Sequence, residues 1–416
     1  MLINELPNDC LLIIFDQMNY LGDLINCSKG NYVSLYNENL LFPLKVVCHE
    51  KLALVKVCIK WSHLVAERTK KVKYFMEYRY DHRLEHGRDV PDYSFDCVYY
   101  EDEDPIDVTC LSTLFTNLII AELSWGLTRK GEFEDIVTFV SNQKSLKGLI
   151  NTSGESIEKY CDELEMLSCN SYELIAIRNG SSIKQLYFGV DSIDAFKPDL
   201  SYFPNLERLH IDIKAPDKHY DGPVLEKLKI LESQFFCLPN TSICYVFQFM
   251  DLCPNLQSAH IFMNTFGLFV DETLKHECLQ DLVVHIFGDE GFNWNNLKRL
   301  FMKYPNLKHL SLSSNWNITD EYIEQLVHIL PNLVLLNFSG CLWVTQRAAD
   351  YVQDYCKRHG RSIKFYFKGN VHEMESDWPQ LSTKHERISR GFNFMKHCFF
   401  KEFYRLPHFL IPIHYE

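Results

Sequence analysis

Leu307-x-x-Leu310-x-Leu312-x-x-Asn315 is followed at once by Ile318-Thr319-Asp320, then Ile323, Leu326 and Leu330-Pro331-Asn332. The pattern then restarts at Leu333-x-x-Leu336-x-Phe338-x-x-Cys341. Within Leu307–Leu312 the second pair of leucines, Leu310 and Leu312, alternates as a short strand with one buried face requires. Asn315 follows where the chain must turn, and a buried amide there can satisfy backbone groups of its own and the neighbouring coil. Asn264 and Cys341 hold the same place in their units. Thr319-Asp320 offers N-cap oxygens to a helix whose apolar side is Ile323, Leu326, Val327 and Leu330. Pro331 ends that helix and opens the next strand.

The same grammar recurs upstream. Phe203-Pro204-Asn205-Leu206, Cys253-Pro254-Asn255-Leu256, Tyr304-Pro305-Asn306-Leu307 and Leu330-Pro331-Asn332-Leu333 place prolines 50, 51 and 26 residues apart. These spacings read as two double periods and one single period. The intermediate units are Leu225-x-x-Leu228-x-Ile230 and Leu279-x-x-Leu282-x-Val284, with earlier ones at Ile183–Phe188 and Leu146–Ile150 and a last one at Ile363–Phe367. No such unit buries its apolar face alone, so neighbours must stack. The pattern resembles the leucine-rich repeat family, most closely its cysteine-containing subtype, over roughly 140–370. That resemblance implies a curved solenoid offering an extended recognition surface.

Composition narrows the class. The 416 residues are 46% hydrophobic and 14% aromatic, which supports a sizeable core and argues against disorder. With 42 basic against 55 acidic residues the net charge is −13, the wrong sign for a general nucleic-acid binder. The 15 cysteines form no C-x-x-C pair and no cluster of zinc spacing. Their odd number, with no secretion signal at Met1–Glu5, points to free thiols in the cytoplasm or nucleus. Triplets such as Asn151-Thr152-Ser153 and Asn317-Ile318-Thr319 are then chance matches to a glycosylation signal. No uncharged apolar run is long enough to span a bilayer.

The front of the chain follows another pattern. Leu6-Pro7 leads into a helical run with Leu11, Ile14, Phe15 and Met18 on one face and Leu12 and Ile13 beside it. Pro7 suits a first helical turn. A short helix that is apolar nearly all round needs burial on two sides, more than a module of about 50 residues supplies, so a partner chain is implied. Asp23-Leu24, Cys27 and Val57-Cys58-x-x-Trp61 complete the pattern. These elements resemble the F-box. The departure is in spacing: joining Lys29 directly to Val57 restores the family's register. Residues 30–56 are thus either an inserted loop or helix, or unspliced sequence.

The expected fold is α/β, a short all-helical N-terminal F-box module followed by a curved leucine-rich-repeat solenoid. Its parts are 1–67 with the insertion at 30–56, a linking segment at 68–115 with solvated charge, the repeats at 116–370, and a C-terminal capping tail at 371–416. The tail's Phe392, Phe394, Phe399, Phe400, Phe403 and Tyr404 should pack against the repeats, since an exposed aromatic tail is a liability.

No nucleotide-binding loop or nucleophile elbow is present. His82 and His86 stand four apart but lack a third ligand, so they read as surface histidines. Neither catalytic residues, a metal nor a cofactor is expected. The combined resemblance implies a non-catalytic substrate receptor of SCF-type ubiquitin ligases, with a Skp adaptor, a cullin-RING scaffold and an unidentified target protein as partners, and no nucleic acid or membrane. It implies that Leu6, Pro7, Leu11, Ile14, Phe15, Leu24, Val57, Cys58 and Trp61 contact or support the adaptor. Under the Leu-x-x-Leu-x-Leu register, Arg208, His210, Asp212, Ser258, His260, Phe262, His309, Ser311 and Asn337 face away from the coil interior and are the expected target contacts. The alternative is a non-ligase interaction scaffold or inhibitor whose F-box is disrupted by the insertion.

Overall fold

Alternating apolar residues separated by turns of the Pro-Asn-Leu type become parallel strands in the computed structural model. It describes residues 34–35, 44–45, 69–77, 97–100, 108, 111–169, 177, 179–214, 218–236, 243–265, 267–287, 293–314, 318–382, 388–412 and 415. The chain divides into two compact units, Met1–Asn179 and Gly180–Glu416.

In the first unit, β1 (Ser34–Leu35) and β2 (Leu44–Lys45) pair antiparallel. A separate sheet contains β3 (Tyr74–Glu77), β4 (Cys97–Tyr100), β5 (Ile120–Leu123), β6 (Gly148–Asn151) and β7 (Met166–Cys169). These strands run parallel in the order β4-β3-β5-β6-β7. Helices α1 (Leu111–Leu114), α2 (Trp125–Thr128) and α3 (Phe133–Ser141) lie in the connections that flank β5. Phe75 anchors the core, stacked on Tyr100 at 4.9 Å and meeting Phe115 and Phe139 at 5.5 Å each. The buried Gln143 amide donates to the Phe115 carbonyl and accepts from the Leu118 N–H, closing the turn before β5.

The second unit contains β8 (Gln185–Val190), β9 (Arg208–Ile213), β10 (Ile230–Phe235), β11 (Ile243–Cys244), β12 (Ser258–Met263), β13 (Gly267–Leu268), β14 (Asp281–Ile286), β15 (His309–Ser314), β16 (Leu335–Phe338) and β17 (Lys364–Phe367). Eight of these make one parallel sheet in the order β8-β9-β10-β12-β14-β15-β16-β17, while β11 and β13 pair separately. Helices α4 (Ile193–Leu200), α5 (Val246–Asp251), α6 (Trp294–Met302), α7 (Asp320–Ile329) and α8 (Gln346–His359) lie in five of the seven connections. No helix is described between β9 and β10 or between β12 and β14. Strands β18 (Ile388–Arg390) and β19 (Phe409–Ile411) form a small parallel pair of their own, beyond α9 (Val371–Asp377).

The Pro-Asn-Leu phrase has a physical explanation in this sheet. Each asparagine donates its side-chain amide to a carbonyl one period earlier. Asn205 reaches Ser181 at 2.7 Å, Asn255 reaches Glu226 at 2.8 Å, Asn306 reaches Glu277 at 2.9 Å and Asn332 reaches Pro305 at 3.0 Å. These carbonyls lie in the turns before strands, where no ladder partner exists. Cys341 acts similarly at the other end of its strand, with Sγ donating to the Leu312 carbonyl at 3.1 Å. Asn264 is buried at the equivalent position, and Asn315 lies outside the described residues.

Helix α7 begins after Thr319 and buries Ile323, Leu326 and Val327. Its N-cap side chain makes no capping bond; Thr319 Oγ1 instead donates to the Glu321 carboxylate at 2.6 Å. The Asp320 carboxylate accepts from Thr345 N and Oγ1 in the following unit. The polar residues at this helix start therefore tie neighbouring units together.

These observations overturn the expectation of a short all-helical N-terminal module followed by a curved leucine-rich-repeat solenoid. The chain is α/β, built of parallel sheets and helices. Within 1–67 the described elements are the strands β1 and β2, both inside 30–56, and no all-helical module is seen. In the second unit helices fill only some connections, and the sheet is covered on both faces. No solenoid is evident. Periodicity dictates one strand per unit, but whether one sheet face stays open is decided by the aromatic C-terminal segment, which lies outside the repeat grammar.

The stretch 68–115 supplies β3, β4 and α1, while its basic residues at 79–88 and acidic ones at 101–104 lie outside the described residues. Among the described residues no helix is long and apolar enough to cross a membrane.

Candidate functional site

Strand alternation divides the second unit's sheet into two chemically different faces. One carries Leu209, Ile211, Ile213, Leu231, Phe235, Ala259, Ile261, Met263, Leu282, Val284, Leu310 and Leu312, all buried in the repeat interior. The other carries the residues between them. Because the strands pair in register, these residues form rows across the sheet. One row runs Tyr187, His210, Glu232, His260, Val283, Ser311, Asn337, Tyr366. A second, at the strand starts, runs Gln185, Arg208, Ile230, Ser258, Asp281, His309, Leu335, Lys364.

This face is packed against the chain's own C-terminal segment. Phe394, Cys398, Phe399, Phe403, Leu406 and Leu410 share one apolar cluster with Ile230, Val283, Leu335 and Tyr366. Phe403 lies over the middle of the face, its ring centroid 4.7 Å from His210, 5.7 Å from His260 and 6.0 Å from Phe262. Burying such a ring contributes about 1.5–3 kcal/mol.

Beside the apolar cluster lies a charged one. Arg208 and Glu232 form an ion pair at 2.6 Å, with side chains 1% and 0% exposed. His210 Nδ1 shares the same Glu232 oxygen at 3.0 Å. Burial alone would raise the Glu232 carboxyl, but Arg208 and His210 hold it down at about 2. Burial pulls His210 down, yet Asp212 and Glu232 more than offset this and its pKa is raised. His260 behaves oppositely. Burial and the neighbouring His285 push it down to about 3, so it is neutral, with Nε2 donating to the Lys401 carbonyl at 3.0 Å. His285 is also lowered by burial, against the pull of Glu402.

Farther along the face, Asp281 accepts from Ser258 Oγ and bonds His309 Nδ1, each at 2.6 Å, and Asn337 donates to Ser311 Oγ at 3.0 Å. The nine expected target contacts therefore all lie on one face. Arg208, His210, Ser258, His260, Ser311 and Asn337 are buried there, while Asp212, Phe262 and His309 are partly exposed. The expected adaptor residues Leu6, Pro7, Leu11, Ile14, Phe15, Leu24, Val57, Cys58 and Trp61 lie outside the described residues, as do His82 and His86.

Sequence reasoning missed Gln185, Glu232, His285 and Tyr366 on this face. The signal was present for Gln185 and Tyr366, which stand between apolar positions of units already recognised, whereas Glu232 and His285 lie just past the units read at Leu225–Ile230 and Leu279–Val284. The tail residues that meet the face carry no such signal. Among the described residues no group of three or more His, Cys, Asp or Glu side chains is placed to hold a metal ion. What the arrangement offers is hydrogen-bonding and aromatic contact to the chain's own C-terminal segment. No protein-family model matches this sequence, and no curated protein matches it.

Proposed function

We propose that the chain is the substrate-recognition subunit of an SCF-type E3 ubiquitin ligase. In this reading the F-box residues from Leu6 to Trp61 dock on a Skp adaptor carried by a cullin-RING scaffold. The leucine-rich units of the second unit hold the target protein. The chain itself performs no bond chemistry; it supplies proximity and orientation for ubiquitin transfer.

The observation that carries the reading is one juxtaposition in the sequence. Leu6-Pro7, the apolar run to Phe15, Asp23-Leu24 and Val57-Cys58-x-x-Trp61 precede units whose in-register strands assemble a broad polar and aromatic face. That face suits a protein partner better than a small ligand, because its hydrogen-bonding groups are spread over many strands.

A second reading is favoured by one observation. Residues 30–56, which interrupt the F-box spacing, contain the antiparallel pair Ser34–Leu35 with Leu44–Lys45. A chain whose adaptor motif is interrupted there is a non-ligase interaction scaffold or inhibitor. Retrieval of purified Skp adaptor by the full chain, and by the chain lacking residues 30–56, separates the readings. Binding by either form supports the receptor, and binding by neither leaves the scaffold.

A further inference from the structure

We infer that the polar face of the second unit is a binding site for a peptide segment that makes one helical turn and then runs extended, and that the chain's own residues Lys401–Ile411, with the turn at Phe403–Arg405, occupy it as a tethered, displaceable ligand. The inference deepens the recognition half of the proposed function and is independent of adaptor docking.

The first argument is what the face recognises. Its side chains address main-chain groups of the C-terminal segment. The Gln185 amide grips both backbone groups of Leu410, Nε2 donating to its carbonyl at 2.6 Å and Oε1 accepting its N–H at 2.9 Å. Arg208 Nη1 donates to the His408 carbonyl at 3.0 Å and Nη2 to the Pro407 carbonyl at 2.7 Å. His260 donates to the Lys401 carbonyl. Main-chain groups are common to every peptide, so such contacts hold any extended segment that supplies suitable anchors.

The second argument is where the anchors fall. Phe403 covers His210, His260 and Phe262, the His408 ring sits 4.8 Å from Tyr187, and Leu410 enters the apolar cluster. The ligand class is therefore a peptide with an aromatic anchor in a single helical turn and a leucine in the extended stretch that follows, at the spacing of Phe403 and Leu410.

The third argument is incompleteness. Two buried polar atoms of the face, Arg208 Nε and His260 Nδ1, have no hydrogen-bond partner, and His210 Nε2 reaches only Asp212 Oδ1 at 3.6 Å, beyond hydrogen-bond length. An evolved core layer pairs such atoms, because each orphan costs stability. A ligand that brings polar groups to them gains over the tethered segment. That segment pairs laterally with Ile388–Arg390 through the three residues Phe409–Ile411.

The test uses the full chain with a specific protease site placed within 383–387. After cleavage, a fluorescent synthetic peptide spanning 388–411 is added and its anisotropy followed together with far-ultraviolet circular dichroism. The labelled peptide should exchange into the nicked protein while the folded signal persists. It should bind the uncut chain at least about tenfold more weakly, since the tether leaves only a fraction of the sites open. Gln185→Ala in the nicked protein should weaken binding further. If the labelled peptide does not enter, or the fold is lost as the segment leaves, Lys401–Ile411 is a fixed layer of the core and the inference fails. Adaptor retrieval by the same preparations reports on the N-terminal motif alone, so the two failures are distinguishable.

Discussion

The Arg208 guanidinium and the Glu232 carboxylate meet at 2.6 Å with neither side chain open to solvent, and the same guanidinium holds two carbonyls of the C-terminal segment. The ion pair thus joins adjacent strands and orients Arg208 toward the covering segment. Removing one buried partner leaves the other charge uncompensated. Glu232→Gln should therefore cost about 3–5 kcal/mol in chemical denaturation. The pair Arg208→Met with Glu232→Leu should recover part of that loss, because the guanidinium is no longer stranded, though His210 loses its Glu232 partner and the Pro407 and His408 carbonyls lose their donor. Equal losses for the single and double variants would show that the pair's charges are not what matters.

Acid should weaken this face. His260 is neutral in the folded chain with a pKa near 3, against 6.5 in the open. Below pH 6.5 the unfolded chain takes up a proton that the folded chain refuses, so stability falls as pH falls through that window. The slope approaches about 1.4 kcal/mol per pH unit. His285, lowered by burial, acts in the same direction, and Glu232, held near 2, adds its loss below pH 4.5. His210 opposes them, since its raised pKa contributes stability below pH 6.5 that is lost as pH rises through its folded value. His260 faces His285, Glu232 and His210 across the strands and the Lys401 carbonyl on the covering segment. His260→Asn, which keeps a donor but cannot titrate, should flatten the dependence of unfolding free energy between pH 6.5 and 4.5. An unchanged slope would rule out this histidine as its source.

The asparagine ladder should show as a repeated small effect. Asn255→Ala, Asn306→Ala and Asn332→Ala each remove one amide-to-carbonyl bond to the preceding period. Each should cost about 1 kcal/mol and lower the melting temperature by about 2–4 °C. The three changes lie in successive or alternate turns, so a triple variant tests whether the losses add.

Helix α8 ends at Gly360, whose φ of 62° and ψ of 30° place it in the left-handed region while its N–H bonds the Cys356 carbonyl. A Cβ there would meet nothing within 4 Å. Gly360→Ala therefore isolates the backbone cost and should destabilise by about 1 kcal/mol in thermal unfolding. A neutral result would show that the helix end adapts without the left-handed residue.

Much of the second unit was legible in the sequence. The Leu-x-x-Leu-x-Leu segments are parallel strands, Ile363–Phe367 included as β17, and Thr319 and Pro331 bracket α7, because these features depend on side-chain period and backbone chemistry over a few residues. The two faces were equally legible in the strands that supplied the nine expected contact residues, which is why all nine share one face, whereas Ile230, read as an interior position, lies on the polar face. Helix-free connections were not legible, since a Leu-rich unit reads alike whether a helix or a loop returns the chain.

The sequence by itself therefore determined the α/β class and most strand positions of the second unit from local alternation. The unit read at Leu225-x-x-Leu228-x-Ile230 is shifted, since the strand is Ile230–Phe235 and it is Leu231 that faces the interior. Only the tertiary structure decided what covers the polar face. Phe403 and Leu410 are two apolar residues among many in the tail. Their meeting with His210 and Gln185 spans about two hundred positions of chain. Such a contact is selected by the free energy of burying the aromatic segment against one particular surface, and no periodicity records it. Tertiary placement also shifts His210 up and His260 down, although both stand at the same register position of their strands.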